Sequence, residues 1–424
     1  MKRRILITLI LLGLACTEAS AQWYLFPSRR KANPDTVLVT PPPAVSEQPT
    51  QPEIQPEPAQ VEQPAADPIR EQKQEQELPA EPLETVRVCL SLPFGEASAT
   101  QSSNFMDFYF GALLAARDLG NSGIRLELSA FDSSSGSTSP NASDLAESDL
   151  IIGPVSSADI LSELEKCGEG QYVVSPLDQK SAALTADHNV IHAASTPDAQ
   201  AEDLARWIIE DESTERGIMT VVKEKGVRLS ESSIYLLGKL KEAGIQCDTI
   251  SYGILEGMTI QNRFNRSSDT TVLRKYIIAS DNEAFVGDAV RNIAMLQYKG
   301  HRVMTYGSSR IKSFESLEQE DLHNVNLKLT ASYHINYDDP AVKKFVLTYR
   351  SVFQAEPNAY SFSGYDIMHY FVNLCARYGR NWAGMAGAYQ ESGLQAGFNF
   401  RDGSGINQAV RRISYNPDHT ITVR

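Results

Sequence analysis

The chain has 424 residues, with 39 Lys and Arg against 53 Asp and Glu, and its formal net charge is −14 at pH 7. An acidic balance without a basic stripe argues against nucleic acid as a partner. Most of the Cys residues stand far apart, which argues against a zinc site of the CxxC type; they are Cys89, Cys167, Cys247 and Cys375.

The chain begins with the pattern of a secretory signal peptide. Basic residues at 2–4 precede an apolar run at 5–14 that is too short to span a bilayer. Small residues before position 22 predict cleavage after Ala21, so 1–21 is the expected signal peptide. Cys16 supports a competing prediction, in which a lipid on this residue anchors the processed protein. Both alternatives predict export to the periplasm or cell envelope.

The next segment, 22–84, is predicted to be a disordered tether rich in Pro, Gln and Glu. Twelve of the 21 prolines lie between Pro34 and Pro82, and they favour an extended chain. Such a composition cannot bury enough apolar surface to offset the entropy of ordering. The tether either holds the folded part away from a membrane or wall, or is a leader without a partner.

Short strands and amphipathic helices alternate through the first part of the folded region. A strand is predicted at 85–92, where apolar residues alternate before Pro93. Asn104 is the expected N-cap of the helix that follows. Further strands are predicted at 124–131, 149–152 and 171–174. This alternation predicts a parallel sheet with right-handed crossovers.

A second series repeats the pattern and completes an α/β protein with two Rossmann-like lobes and a cleft between them. Its strands are predicted at 217–222, 247–252, 275–279 and 301–306. A late core helix is predicted at Phe362–Tyr378, with Ser363 and Asp366 in the spacing of a capping box.

Polar loops follow the strands of both series, and in open α/β sheets such loops form the ligand crevice. Ser156 and Ser157 either donate hydroxyl groups to a ligand or only cap the next helix, and the same two alternatives apply to Asp281. The sequence contains no HExxH, GxSxG or Walker A motif, and no GxGxxG follows the first strand. We therefore expect no enzyme activity, catalytic residue, metal or cofactor.

Four segments, in this order, resemble the type 1 periplasmic-binding fold: 108–116, 149–157, 173–177 and 360–366. The resemblance covers about 85–424 and is nearest to branched-chain amino-acid receptors. It extends to envelope proteins of Bacteroides-like bacteria that join this fold to a LysM module. In this chain the Pro-rich tether occupies the place of that module.

The resemblance implies that the chain crosses three times between the lobes. One lobe would comprise 85–200 and 337–390, and the other would comprise 201–336 and 391–424. Each lobe would contribute one side of the ligand cleft.

The resemblance also implies a set of ligand-binding residues. Ser157 matches the family serine that binds an amino-acid carboxylate. Ser175 begins a Ser-Pro pair like the family's, and further ligand positions follow it near Leu177 and Gln179. Asp281 and Asn282 lie near the position of the acidic residue that receives the ammonium group. The ligand-binding residues implied in all are Ser156, Ser157, Ser175, Leu177, Asp178, Gln179, Asp281 and Asn282. Asp178 and Gln179 depart from the usual small or hydroxyl residues, and a carboxylate beside Asp178 would be repelled.

Two hypotheses follow from the sequence. The first is an exported receptor that closes on a small polar ligand, such as an amino acid or peptide. The second is an envelope protein that has kept the fold without a ligand and docks onto peptidoglycan or its synthesis machinery.

Overall fold

A computed structural model describes residues 82–95, 99–134, 138–256, 259–265 and 268–424. The expected signal peptide, the lipid attachment at Cys16 and the tether up to residue 81 lie outside these residues. Leu83 lies inside them, and its backbone N–H donates to the carbonyl oxygen of Ala376 at 3.0 Å. Its side chain packs on the core of the first lobe. A fixed contact therefore precedes the expected start of the fold at Thr85.

The strands in chain order are β1 (Thr85–Leu92), β2 (Arg125–Asp132), β3 (Leu150–Ile152), β4 (Val173–Ser175), β5 (Val190–His192), β6 (Ile218–Glu224), β7 (Asp248–Tyr252), β8 (Arg274–Ile278), β9 (Val303–Gly307), β10 (Leu327–Ala331), β11 (Glu391–Ser392), β12 (Gly397–Phe398), β13 (Arg411–Tyr415) and β14 (Ile421–Val423).

The helices are α1 (Ala99–Asn121), α2 (Ala142–Ala146), α3 (Ser157–Leu164), α4 (Pro197–Thr214), α5 (Glu231–Glu242), α6 (Thr259–Phe264), α7 (Glu283–Tyr298), α8 (Gln319–Asn324), α9 (Pro340–Phe353), α10 (Ala359–Tyr378) and α11 (Trp382–Met385). Short 3-10 helices occupy Gln179–Ala186, Ile254–Glu256, Ser309–Ser313 and Gly379–Asn381.

Two sheets form the centres of the two lobes. The first has the order β2-β1-β3-β4-β5, and every neighbouring pair is parallel. The second has the order β14-β13-β10-β9-β8-β6-β7, in which β6 to β10 pair in parallel. The predicted α/β class with two Rossmann-like lobes is confirmed. The antiparallel strands β13 and β14 at the edge of the second sheet were not expected.

Helices α1 and α10 pack closely against each other on the first sheet. A Cβ atom at Gly111 would collide with the Ser361 carbonyl, and one at Gly364 would collide with the Phe108 carbonyl, so glycine permits this approach. The prediction that Asn104 caps α1 was wrong, because α1 begins at Ala99 and Asn104 lies within it.

The N-terminus of α10 also differs from its prediction. Asn358 is the N-cap and forms a capping box with Ser361, so Ser363 and Asp366 do not. Asp366 is only 2% exposed. Its carboxylate accepts backbone N–H bonds at 2.6 to 3.0 Å from 394–396. The local spacing suggested a cap, whereas a distant loop supplies the donors.

The segment 391–409 packs with the first sheet, although the sequence assigned it to the second lobe. Asn407 Nδ2 donates to the Ala193 carbonyl at 2.9 Å, and the His192 backbone N–H donates to the Gly405 carbonyl at 2.8 Å. Only from Arg411 onward does the chain join the second sheet. Hydrogen bonds to β5 and α10 are the physical reason for this difference.

Candidate functional site

The loop after β3 lies at the carboxyl edge of the first sheet. Gly153 has a φ of +82° and passes so close to Ser91 that a Cβ atom would collide with its carbonyl oxygen. Glycine is therefore required where the chain leaves the strand. The loop then leads directly into α3, whose N-terminal residues include Ser156 and Ser157.

Ser156 is bonded to its own helix. Its Oγ accepts from the Asp159 backbone N–H at 3.2 Å and lies 2.6 Å from the Asp159 carboxylate, to which it donates. Of the two alternatives that the sequence left open for Ser156, the structure shows the cap.

Ser157 is joined to Asp178, across 21 residues of chain. The Ser157 hydroxyl donates to Asp178 Oδ2 at 3.0 Å. Asp178 Oδ1 also accepts from the Lys180 backbone N–H and so caps the 3-10 helix that follows β4. The hydroxyl that the resemblance assigned to a ligand carboxylate is thus already bonded to a carboxylate of the protein.

Ser175 belongs to a buried network. It is 0% exposed, and its Oγ lies 2.5 Å from Ser181 Oγ. Ser181 Oγ in turn contacts His192 Nδ1 at 3.1 Å and donates to the Asp178 carbonyl at 2.6 Å. Burial lowers the pKa of His192 to about 4, against the opposing effect of the Asp178 carboxylate. The imidazole is therefore neutral at pH 7.

Leu177 and Gln179, the two remaining candidates of the first lobe, differ in their exposure to solvent. Leu177 is partly buried and packs on the first core. Gln179 is exposed and begins the 3-10 helix.

Asp281 and Asn282 lie together at the carboxyl edge of the second sheet, and both are exposed. Asp281 Oδ1 accepts from Ser308 Oγ at 3.0 Å. Asn282 caps α7 by accepting from two backbone N–H groups, and its Nδ2 donates to the Glu224 carboxylate at 3.1 and 3.3 Å. Side-chain hydrogen bonds therefore join the end of β6 to the loop after β8, and that loop to the loop after β9.

A cavity of about 210 Å³ opens beside these residues. Glu224, Ser280, Asp281 and Asn282 supply polar walls, and Arg228 supplies a positive charge. In the described part of the chain, no hydrogen bond connects this group with Ser157 or Asp178. The structure thus brings the candidate residues together in two groups, one at each sheet edge.

Several of these neighbours were missed by sequence reasoning. Ser181, His192, Glu224 and Ser308 are not among the site residues that the sequence predicts. A polar residue close after a strand end is a usable signal for Glu224 and Ser308, because the loops at one sheet edge meet. The burial of Ser181 depends on packing that the sequence does not display. Among the described residues, no three His, Cys, Asp or Glu side chains are grouped as a metal site requires.

Comparison with solved structures identifies the fold. A crystal structure from Rhodospirillum rubrum, of a protein assigned as a branched-chain amino acid ABC transporter, superposes with a TM-score of 0.56 at 14% identity, over 80% of this chain and 100% of that chain. Two structures of an ABC transporter substrate-binding protein from Desulfitobacterium hafniense also match over 80% of this chain and 100% of theirs. One, at 14% identity, has a TM-score of 0.49, and the other, in complex with Leu, has 15% identity and a TM-score of 0.47. The first of these matches shows that the chain has the type 1 periplasmic-binding fold.

No protein-family model and no curated protein matches the sequence. In the ranges that the structure describes, no helix combines the length and the apolar character needed to cross a membrane.

Proposed function

We propose that this protein binds a small polar solute between its two lobes and catalyses no reaction. The observation that carries the proposal is the open carboxyl edge of the second sheet. There Asp281 and Asn282 are exposed beside a cavity of about 210 Å³. Ligands of open α/β sheets bind at this edge, and the type 1 periplasmic-binding fold supports the same role.

The charges at both edges favour a solute that carries an ammonium group. Asp178 already accepts the Ser157 hydroxyl, so a ligand carboxylate at Ser157 would lie beside a second negative charge. On the second sheet, Asp281 and Glu224 supply two carboxylates to the cavity of about 210 Å³, against the one positive charge of Arg228. An ammonium group would gain charge-assisted hydrogen bonds there.

We further propose that 1–21 directs export to the periplasm or cell envelope. Cleavage after Ala21 would release a protein carried on the Pro-rich tether. Attachment of a lipid at Cys16 is the alternative form of the same proposal.

Calorimetry with matched ligands tests the solute proposal. Free amino acids are compared with their amides, which keep the ammonium group and lack the carboxylate, and with diamines and short cationic peptides. We expect the amides to bind more tightly than the free amino acids. Asp281→Asn should weaken binding at least about tenfold, which corresponds to about 1.4 kcal/mol. Asp187→Asn is the control, because Asp187 is exposed at the opposite edge of the first sheet.

A second candidate function is a ligand-free docking protein of the cell envelope that acts with peptidoglycan or its synthesis machinery. The hydrogen bond between Ser157 and Asp178 favours it, because the family's anchoring hydroxyl is occupied. A bound solute at 100 times its dissociation constant would raise the free energy of unfolding by about 2.7 kcal/mol. If no solute in the screen produces heat or raises Tm, the solute proposal is overturned in favour of this alternative.

A further inference from the structure

A larger cavity lies elsewhere in the second lobe, and it shares no lining residue with the candidate site. Its volume is about 560 Å³, which is within the usual range for small-molecule sites. The 3-10 helix after β9, helix α8, the segment 334–338 and the edge strands β13 and β14 surround it.

One side of this cavity is apolar. Ile311 and Leu322 are buried at its base, and Ile421 on β14 is 38% exposed at the same cavity. Exposed apolar side chains beside a concave surface indicate a binding site more strongly than single exposed residues do. The aliphatic and Phe residues of the lining are Ile311, Phe314, Leu317, Leu322, Ile335, Ile421 and Val423.

The other side carries Lys312, a partly buried cation. Its Nζ donates to the Tyr333 carbonyl oxygen at 3.2 Å and lies 5.4 Å from the centre of the Tyr333 ring. No carboxylate in the described ranges pairs with this ammonium group. An ammonium group has three donors, so two remain for a ligand. Burial lowers the pKa of Lys312 because it removes water from around the ammonium group.

Two more basic residues lie near Lys312, but only Arg411 is charged at pH 7. His334 lines the cavity, and burial together with the nearby charges of Lys312 and Arg411 lowers its pKa to about 4, so its imidazole is neutral. In the described ranges Arg411 donates hydrogen bonds to neutral acceptors, which are Ser392 Oγ and the carbonyls of Gly393, Gln395 and Ala396. It lies outside the cavity lining, and the Asp366 carboxylate is close enough to offset part of its charge.

The acidic residue of the lining does not neutralise the charge of Lys312. The Asp338 side chain is 97% exposed and pairs with Lys343 at 3.3 Å. A carboxylate at such exposure is screened by water and contributes little to the interior of the cavity. Gln319, Asn336, Tyr337 and Tyr415 also contribute polar groups to the lining, and none of them carries a charge at pH 7.

We propose that this cavity binds a small amphipathic anion, a carboxylate with an apolar body. The carboxylate accepts from Lys312 Nζ, and the apolar body lies against Ile311, Leu322 and Ile421. The proposal is independent of the solute site at Asp281, because neither its residues nor its charge are shared with that site.

Isothermal calorimetry with octanoate tests the proposal on the folded protein. Octylamine and octan-1-ol have the same apolar chain with a cationic and a neutral head group. We expect octanoate to bind more tightly than either. Lys312→Met keeps the apolar stem and removes the charge, so it should weaken octanoate binding at least about tenfold. Lys241→Met on α5 is the matched control, because Lys241 is exposed and lies outside the cavity, and it should leave binding unchanged.

Ile421→Trp provides a second variant, since a larger side chain at an exposed position of β14 fills the cavity without opening the core. It should also weaken octanoate binding, whereas Asp281→Asn should not. Circular dichroism and Tm confirm that each variant is folded. The proposal is overturned if octanoate does not bind, if octylamine binds equally well, or if Lys312→Met binds octanoate as the wild type does.

Discussion

The carboxyl edges of the two sheets differ in where their polar side chains are bonded. At the first sheet, Ser175 and His192 are buried, and Ser157 donates to Asp178. At the second sheet, the corresponding loops leave Asp281 and Asn282 exposed beside an open cavity. Both edges contain side-chain hydrogen bonds, but the bonded groups at the first edge include buried residues, whereas Asp281 and Asn282 at the second edge remain exposed.

The difference teaches that a polar loop after a strand does not by itself indicate a ligand contact. Buried polar groups must be hydrogen-bonded, so a network such as Ser175–Ser181–His192 uses its donors for the fold. Substitutions of the buried residues at the first edge should consequently reduce stability most, whereas substitutions of exposed residues that cap no helix should chiefly affect binding.

His192→Ala should give the largest effect. It removes a buried side chain and its contact with Ser181 Oγ, which should lower the free energy of unfolding by about 3 kcal/mol. Urea denaturation measures the change. His188→Ala is the control, because His188 is exposed and should change stability by less than about 0.5 kcal/mol. Equal effects of the two substitutions would refute the structural role of the first edge.

Glu163→Gln tests the first sheet through the pH dependence of the free energy of unfolding. Glu163 on α3 is 4% exposed, its carboxylate accepts from Ser91 Oγ at 3.1 Å, and burial raises its pKa to about 7. The folded protein then holds a proton that the unfolded chain has lost, so the free energy of unfolding falls as pH rises from about 4.5 to about 7. The slope for this group is at most about 1.4 kcal/mol per pH unit.

The Gln variant should lack this dependence. At pH 8 it should be more stable than the wild type by about 2 kcal/mol, and the two should converge near pH 4. Denaturation at several pH values measures the difference. Glu165→Gln, at an exposed position of the same region, should follow the wild type. A constant difference across pH would contradict the assigned role of Glu163.

Asn282→Ala tests the one clear structural role at the second edge. Loss of the α7 cap should lower the free energy of unfolding by about 1 kcal/mol. Asp281→Ala next to it should change stability by less than about 0.5 kcal/mol, because Asp281 is exposed and caps nothing. Thermal denaturation compares the two. A larger loss of stability for Asp281→Ala would mean that the hydrogen bond between Asp281 and Ser308 also stabilises the fold.

Asp178→Asn should have the smallest effect on stability, less than about 0.5 kcal/mol. The amide oxygen can still accept one of the hydrogen bonds made by Asp178, from Ser157 or Lys180. Asp178→Asn removes a negative charge. The affinity for a solute with a carboxylate should therefore rise about tenfold relative to the affinity for its counterpart with an ammonium group. An unchanged ratio in competition calorimetry would show that Asp178 does not face the solute.

Much of the fold could be predicted from local pattern. Alternating apolar residues before Pro93 gave the bounds of β1, and short apolar runs located β3 and β4. The start of α1 could not be predicted in this way, since Asn104 looks like a cap but lies inside the helix. Local capping signals compete with longer helical segments, and tertiary packing decides between them.

The sequence predicted which loops contain the candidate site residues, but it did not predict the hydrogen bonds that these residues form. The order of strands and loops placed Ser157 and Asp178 in neighbouring loops, and Asp281 and Asn282 in another. Whether Ser175 faces a ligand or the interior depends on Ser181 and His192, which approach it only in the folded chain. Lys312 is not among the predicted site residues, because its lack of a carboxylate partner in the described ranges is visible only in three dimensions.

The loop 393–396 is bonded from three directions. Asp366 of α10 accepts from its backbone, Arg411 at the start of β13 donates to its carbonyls, and the His334 backbone N–H donates to the Gln395 carbonyl at 3.0 Å. Two of the chain's passages between the lobes therefore converge at one point. A rotation of one lobe against the other that kept these hydrogen bonds would have to pivot there, so that this loop would move least and atoms far from it would move most.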